Sequence, residues 1–405
     1  MITYWHRLRA LNPNAKRYLL STVFRAMSFG IWSLLFNLYL TSLGFDAAFI
    51  GLLGTLSSVM SMVFALPAGL IADRIGRKRT MAIGLTGLAI CRFGAAAFPQ
   101  GWLIATFNTL WGVAGPLLLI SVAPFLMENS TPKERALLFT VDGALMNFSM
   151  FVANTLGGYL PRLFAAVLHV GVESTPAYRG ALWTAAFAVA LGLVPVLRLE
   201  EARRPTPPQT TAPVWRVWQR LSDPGLLAKL SIPRIVIAFG AGLIFPFLNL
   251  FYKERFGVSD AALGWVFGIT SVVAALMMFA SGPLAERWGT IRAMLVARTI
   301  STPIMFVIGF VPSFPVVVAA HWIRSGLMRL GEPLYMAFAM EQFDESERAT
   351  GSSLMRMSWD VGWAAGPALS GLVQVYAGFG PLFVATVVFY ALSLTLVYLF
   401  FGRRK

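Results

Sequence analysis

The sequence predicts an all-α integral membrane protein, with twelve transmembrane helices in two pseudo-symmetric six-helix bundles. Composition, the length of its apolar runs and an internal repeat carry that prediction. With 57% hydrophobic and 13% charged residues and a mean hydropathy of +0.69, the chain has too little polar surface to cover itself in water. Apolar runs of ~20 residues, each able to cross a ~30 Å hydrocarbon layer, recur along its whole length. Adding 213 to a position in the first half lands on its match in the second, taking Tyr39 to Tyr252, Gly44 to Gly257 and Gly51 to Gly264. A constant offset held from residue 39 to residue 158 implies two copies of one six-helix unit, related by an axis along the membrane normal.

The predicted spans cover residues 18–42, 47–72, 80–98, 102–127, 137–161, 180–197, 228–252, 261–284, 293–311, 316–340, 351–376 and 381–401. Ahead of span 1, Trp5, Leu8 and Leu11 fall near one helical face before Asn12-Pro13-Asn14 breaks the pattern. That segment reads either as a short interfacial helix or as a solvated tail. Span 2 carries Gly51 and Gly54 and ends in a tight basic turn. Span 4 ends at Glu128, ahead of a polar loop over 129–135, and span 5 has Asp142 near its start and Gly157-Gly158 near its end. A longer external loop leads into span 6. Pro116, Pro124, Pro246 and Pro333 fall in spans 4, 7 and 10, where they free carbonyls and bend helices.

Between the halves the composition changes. Arg203, Arg204, Pro205, Pro207 and Pro208 give way to Val214, Trp215, Val217, Trp218 and Leu221, interleaved with Arg216 and Arg220. This reads as an extended polar linker and a short amphipathic helix on the membrane surface. The expected domains are therefore an N-terminal bundle over 1–197, a cytoplasmic linker over 198–226 and a C-terminal bundle over 227–405.

The net charge of +15 is a topology signal and not a nucleic-acid footprint. With both termini placed in the cytoplasm, 22 Lys and Arg lie in cytoplasmic segments, counting Lys229 at the cytoplasmic edge of span 7, four in external loops (Arg162, Arg179, Lys253, Arg255) and seven within spans. That asymmetry follows the positive-inside rule and adds attraction for anionic lipid headgroups. Cys91 is the only cysteine, so no internal disulfide forms. The first apolar run is a full span without a small-residue cleavage site, so no cleaved signal peptide is expected. The three histidines, His6, His169 and His321, are scattered, and no cluster of ligands or nucleophiles appears near a membrane face. Neither a metal, a cofactor nor an enzymatic activity is expected. A lipid-modifying membrane enzyme is the alternative of another class, and it lacks the cluster it would need. No Gly-x-x-x-x-Gly-Lys-[Ser/Thr] loop exists to couple the chain to ATP.

Residues 69–81 join spans 2 and 3 in a turn that packs Asp73, Gly69, Gly76, Arg74, Arg77, Lys78 and Arg79 together. Gly76 permits a left-handed backbone, and Gly69 lets two helices approach closely. The turn recurs in the second half, with Gly69 matched by Gly282, Asp73 by Glu286, Arg74 by Arg287 and Gly76 by Gly289. Met127-Glu128 is matched by Met340-Glu341, and Glu134-Arg135-Ala136 by Glu347-Arg348-Ala349. Gly69-x-x-Ala72-Asp73-Arg74-x-Gly76-Arg77-Lys78 resembles the loop between helices 2 and 3 of the major facilitator superfamily, and with twelve spans and a central linker the resemblance covers the whole chain. It implies a solute transporter whose halves rock around a central cavity lined by helices 1, 4, 7 and 10. It further implies a cytoplasmic gate, with Asp73 and Glu286 pairing toward helices 11 and 5, Arg74 and Arg77 reaching Glu128, and Arg287 with Glu341 as the mirror set. The chain departs from the family where helix 4 often carries an arginine, since Asn108 stands there. The antiporter signature of helix 5 reads Ala153-Asn154-Thr155-Leu156-Gly157-Gly158.

An ionised side chain at mid-span costs ~2.5–3.5 kcal/mol on insertion scales, so each one demands a partner or a function. The bases are Arg25, Arg92, Arg234, Arg298, Arg324, Arg329 and Arg356, with His321 able to charge, and the acids are Asp142, Glu332 and Asp360. Arg329 with Glu332, and Arg356 with Asp360, have the spacing of intrahelical ion pairs. Arg234 and Arg298 lie near the cytoplasmic ends and can snorkel. Arg25, Arg92 and Arg324 have no acid one turn away, so they take a partner from another helix or from solute. The candidates for solute or coupling are therefore Arg25, Arg92, Arg234, His321, Arg324, Arg329, Glu332 and Asp360. The functional expectation is a monomeric secondary transporter of the cell membrane that moves a small molecule, with protons as a possible coupling ion. Efflux of an amphipathic compound leads, and proton-coupled uptake or exchange of an anionic metabolite is the alternative that the arginines favour.

Overall fold

Helix boundaries follow local capping chemistry. The computed structural model describes residues 11–200, 223–344 and 347–402. Asn12, read in the sequence as an interruption, is instead the N-cap of span 1. Its side chain accepts from the Asn14 backbone N–H at 2.9 Å, and Pro13 takes the first helical position, where its missing N–H costs nothing. Span 1 is thus Pro13–Ser42. Span 5 starts early for a similar reason. Thr131 and Glu134 form a reciprocal capping box, and the helix runs Pro132–Gly157.

The remaining spans are Ala47–Ile75, Arg77–Ala97, Gly101–Glu128 and Thr175–Leu197 in the first half. In the second half they are a broken span 7, then Asp260–Trp288, Thr290–Phe310, Phe314–Gln342, Arg348–Ala377 and Gly380–Phe401. All twelve predicted spans are helical, and the described residues contain no strand. Ten segments are long and apolar enough to cross a membrane. The two that fall short are spans 10 and 11, which carry Arg324, Arg329 and Glu332, and Arg356 and Asp360, respectively. Pro246 breaks span 7 into Pro224–Ile244 and Leu248–Phe256 around a 3-10 turn, Phe245–Phe247. The predicted external loop before span 6 contains a short helix, Leu160–Leu168, capped by His169 in a left-handed conformation. The proposed surface helix over 214–221 and the segment around Trp5 lie outside the described residues.

The duplication is written in the backbone. Gly76 has φ 92° and ψ 159°, and its counterpart Gly289 has φ 78° and ψ 152°. Gly44 and Gly257 repeat the pattern with φ 87° and 61°. The loop after span 4 is repeated as well, because Arg135 donates to the Met127 carbonyl as Arg348 donates to that of Met340.

The described residues fall into two compact units, one within Met1–Leu43 and Val63–Thr210, the other within Gly44–Met62 and Thr211–Lys405. The first is built on Tyr18, Leu85, Leu118 and Phe125. The second has its core at Leu230, Met294, Leu334, Met355 and Phe401. In hydrocarbon no hydrophobic force drives helix against helix, so small residues and interhelical hydrogen bonds do the work. Ser21 donates to Gly192 O at 2.8 Å in the first unit, and Ser393 to Pro233 O at 2.7 Å in the second.

The first half of span 2 clusters with the second unit, outside the expected boundary at residue 197. The reason is backbone contact with span 11. A Cβ on Gly51 would stand 2.2 Å from Pro367 O, and one on Gly371 2.1 Å from Ala47 O. Thr55 Oγ1 donates to Ala364 O at 2.7 Å and accepts from Ala368 N at 3.1 Å. On its other side span 11 meets span 7 through Gly362, where a Cβ would stand 2.2 Å from Ile235 O.

Candidate functional site

The basic turn is organised by one side chain. Span 2 ends at Ile75, Gly76 reverses the backbone, and span 3 begins at Arg77. This places Arg77 Nη2 2.9 Å from Asp73 Oδ1 and Nε 3.9 Å from Glu128 Oε1. Arg77 thereby ties the ends of spans 2, 3 and 4 together, while Arg74 is exposed and Lys78 half-buried. Gly69 does not work as the close-approach residue the sequence suggested, because a Cβ there would meet only the Ile120 side chain, at 4.0 Å. Its mirror Gly282 is likewise uncrowded.

The mirror set keeps the bend and loses the clamp. The position that repeats Arg77 is Thr290, so the mirror turn has no guanidinium at that place. Among the described residues no ion pair joins Arg287 to Glu341, and Glu286, Arg287 and Glu341 are all exposed.

Arg25, in the first unit, finds partners on its own helix. Its Nη2 donates to Tyr18 Oη at 2.9 Å and to Thr22 Oγ1 at 3.0 Å. Thr22 in turn donates to Asp142 Oδ1 at 2.6 Å, so the acid of span 5 balances the charge through a hydroxyl relay. Arg92 is 4% exposed. It donates to Ser28 Oγ and lies over the Trp32 ring at 5.4 Å, with no carboxylate paired to it among the described residues.

The second unit holds the denser set. Glu332 does not pair with Arg329 as the intrahelical spacing suggested. Instead it binds Arg234 at 2.7 Å and Arg298 at 3.2 Å, drawing spans 7, 9 and 10 together. Both arginines are buried, so neither snorkels to a headgroup. Arg234 lies 5.4 Å over the Trp359 ring and Arg298 5.3 Å over Tyr335. Arg329 is exposed. Arg356 and Asp360 are exposed too, and no ion pair joins them among the described residues. Deeper in span 10, Arg324 is 1% exposed and His321 3%. Tyr252 Oη lies 2.9 Å from His321 Nδ1, and Arg324 sits over the Phe245 and Tyr390 rings at 4.5 and 5.3 Å. Thr22, Tyr18, Tyr252 and Tyr390 thus join the site although sequence reasoning did not put them there, and Asp142, named only as an intramembrane acid, joins it as the partner of Thr22. Of the four, only Tyr252 carried a signal, as the repeat of Tyr39.

Comparison with known proteins accords with this geometry. The "Efflux pump azaK" of Aspergillus niger is 26% identical over 59% of this chain, which spans about half of that relative's length, 52%. "Multidrug resistance protein 1" of Bacillus subtilis is 21% identical over 82% of each chain. Among solved structures, the nucleoside transporter NupG superposes with a TM-score of 0.70 at 16% identity, over 97% of this chain and 100% of that one. A bacterial homologue of the human lysosomal transporter Spinster gives 0.76 at 16% identity, over 96% and 95%. The family described as Major Facilitator Superfamily matches residues 18–237 and again 230–405, so each half is recognised separately. Twelve helical spans, a duplicated glycine bend and a match to both halves have one explanation: the chain belongs to the major facilitator superfamily.

Proposed function

We propose that the protein is a secondary transporter that expels amphipathic small molecules across the cell membrane by alternating access. The match of both halves to the family carries this reading. Relatives named as an efflux pump and as multidrug resistance proteins support the outward direction. The chain acts as a monomer with both termini in the cytoplasm, and protons are the coupling ion. Arg25, with its relay to Asp142, and the Arg234–Glu332–Arg298 triad are the groups whose pairing changes during transport, together with Asp360. Asp73, Arg77 and Glu128 act at the cytoplasmic gate, and Glu286 is the corresponding acid in the second copy of the turn.

One observation favours a second reading, exchange of an anionic metabolite. Arg92, Arg234, Arg298 and Arg324 are all buried, while among the described residues Glu332 is the one acid paired with any of them. Uptake into proteoliposomes, screened over amphipathic cations, neutral compounds and organic anions with and without an imposed proton gradient, separates the readings. Efflux of amphiphiles predicts gradient-dependent movement of the first two classes, diminished in Arg25→Ala. Movement of organic anions alone would transfer the assignment to the second reading.

A further inference from the structure

Arg324 presents an unusual set of unmet hydrogen bonds. Its Nε and Nη2 are buried without an acceptor. These two nitrogens form the edge of the guanidinium that offers two parallel N–H bonds, the geometry suited to a carboxylate or a single halide. The Tyr390 ring lies 5.3 Å from the same guanidinium, and Phe245 covers one face at 4.5 Å. One turn earlier on the same face of span 10, His321 Nε2 is also buried without a partner.

The tautomer of His321 follows from counting. If the Tyr252 hydroxyl donates to Nδ1, the proton of a neutral imidazole sits on Nε2 and one donor is left over. If Nδ1–H donates to the hydroxyl, both the phenolic hydrogen and the Nε2 lone pair are stranded. The first arrangement leaves fewer unmet groups and is the one the buried environment selects. Among the described residues, Nε2–H, Nε–H and Nη2–H are then donors on three nitrogens lacking acceptors, beside a charge that no carboxylate meets. Of the acids paired in this unit among the described residues, Glu332 already holds two other guanidiniums and Asp260 holds Lys253. Water can accept from the donors, but it cannot neutralise a cation inside a membrane.

We propose that Arg324 and His321 form a binding site for one compact anionic group, a halide or a carboxylate, within the C-terminal unit. The proposal holds whichever way solute moves and whatever its class. A free inorganic anion would serve as a resident counter-ion, whereas a carboxylate would be the head of a transported solute.

The test is thermal unfolding of the full-length protein in detergent, titrated with sodium chloride, sodium acetate or sodium benzoate, with Arg324→Gln carried through the same titrations as the baseline for general salt effects. A ligand that binds only the folded state raises the midpoint saturably. Wild type should show such a rise with chloride or with the carboxylates. Arg324→Gln should abolish it and His321→Leu should raise the half-saturating concentration about tenfold, while the exposed-surface variant Arg292→Gln should respond as wild type. Saturation by chloride identifies an inorganic counter-ion, and saturation by acetate or benzoate without chloride identifies a solute carboxylate. Equilibrium binding of radiolabelled chloride or benzoate to wild type gives the same answer should a variant fail to fold. A wild-type midpoint indifferent to all three anions, or an equal rise in Arg324→Gln, overturns the proposal.

Discussion

At the scale of single residues, charge in this protein is held by partners that sequence spacing does not reveal. Glu332 keeps 35% of its side chain exposed while holding two buried guanidiniums. Glu332→Gln should therefore cost about 2 kcal/mol, less than the ~3–5 kcal/mol of a fully buried pair, because solvent screens the exposed oxygen. Thermal unfolding measures it, and Arg329→Gln should leave the midpoint unmoved. A second contrast concerns glycine. Gly76→Ala places a Cβ at φ 92° and should cost about 1–3 kcal/mol, whereas Gly69→Ala meets only one side chain at 4.0 Å and should be tolerated. Equal losses in both variants would contradict the division of labour between them. The sequence named the mid-span charges, since hydropathy exposes them, though not Asp260 at the start of span 8, and it identified Gly76 by its chemistry. It did not reveal which acid meets which base. The decisive contacts, Arg234 and Arg298 to Glu332 and Arg25 through Thr22 to Asp142, join positions far apart in the chain.

At the scale of elements, helices start and stop where caps and prolines put them and pack where glycine lets backbones touch. Gly362 is the sharpest case, because an added methyl group would collide with the Ile235 carbonyl at 2.2 Å. Gly362→Ala should force spans 7 and 11 apart at a cost of about 1–3 kcal/mol or more. Gly115→Ala, in open space, should be neutral by the same unfolding assay. The existence and order of the twelve spans were legible from apolar run length together with the internal repeat, spans 10 and 11 being the two that charge makes least apolar. Their ends were not. Asn12 reads as a breaker until Asn14 is seen donating to it, and Pro246 reads as a mild bend until it opens a 3-10 turn. The short helix Leu160–Leu168 escaped because nine residues are too few for periodicity to speak.

At the scale of the whole molecule, two copies of one design have drifted apart in a particular way. Asp73→Asn removes one arm of the Arg77 clamp and should slow solute exchange by about fivefold, the rate equivalent of ~1 kcal/mol for a partly exposed pair. Equilibrium binding of solute should be unchanged, and stopped-flow exchange in proteoliposomes checks both quantities. Glu286→Gln should have the smaller effect, since Thr290 stands where Arg77 would be. The duplication itself was visible as a fixed offset, because identical residues survived at matching positions. The loss of the second clamp was legible too, though only to a reader who already knew that Arg77 was its centre. The pair Gly76 and Gly289 carries a wider lesson about ancestry. A torsion angle beyond the reach of nineteen amino acids admits one solution, so both descendants inherited it unchanged. An electrostatic debt can be settled by any neighbour, and one descendant let its creditor go.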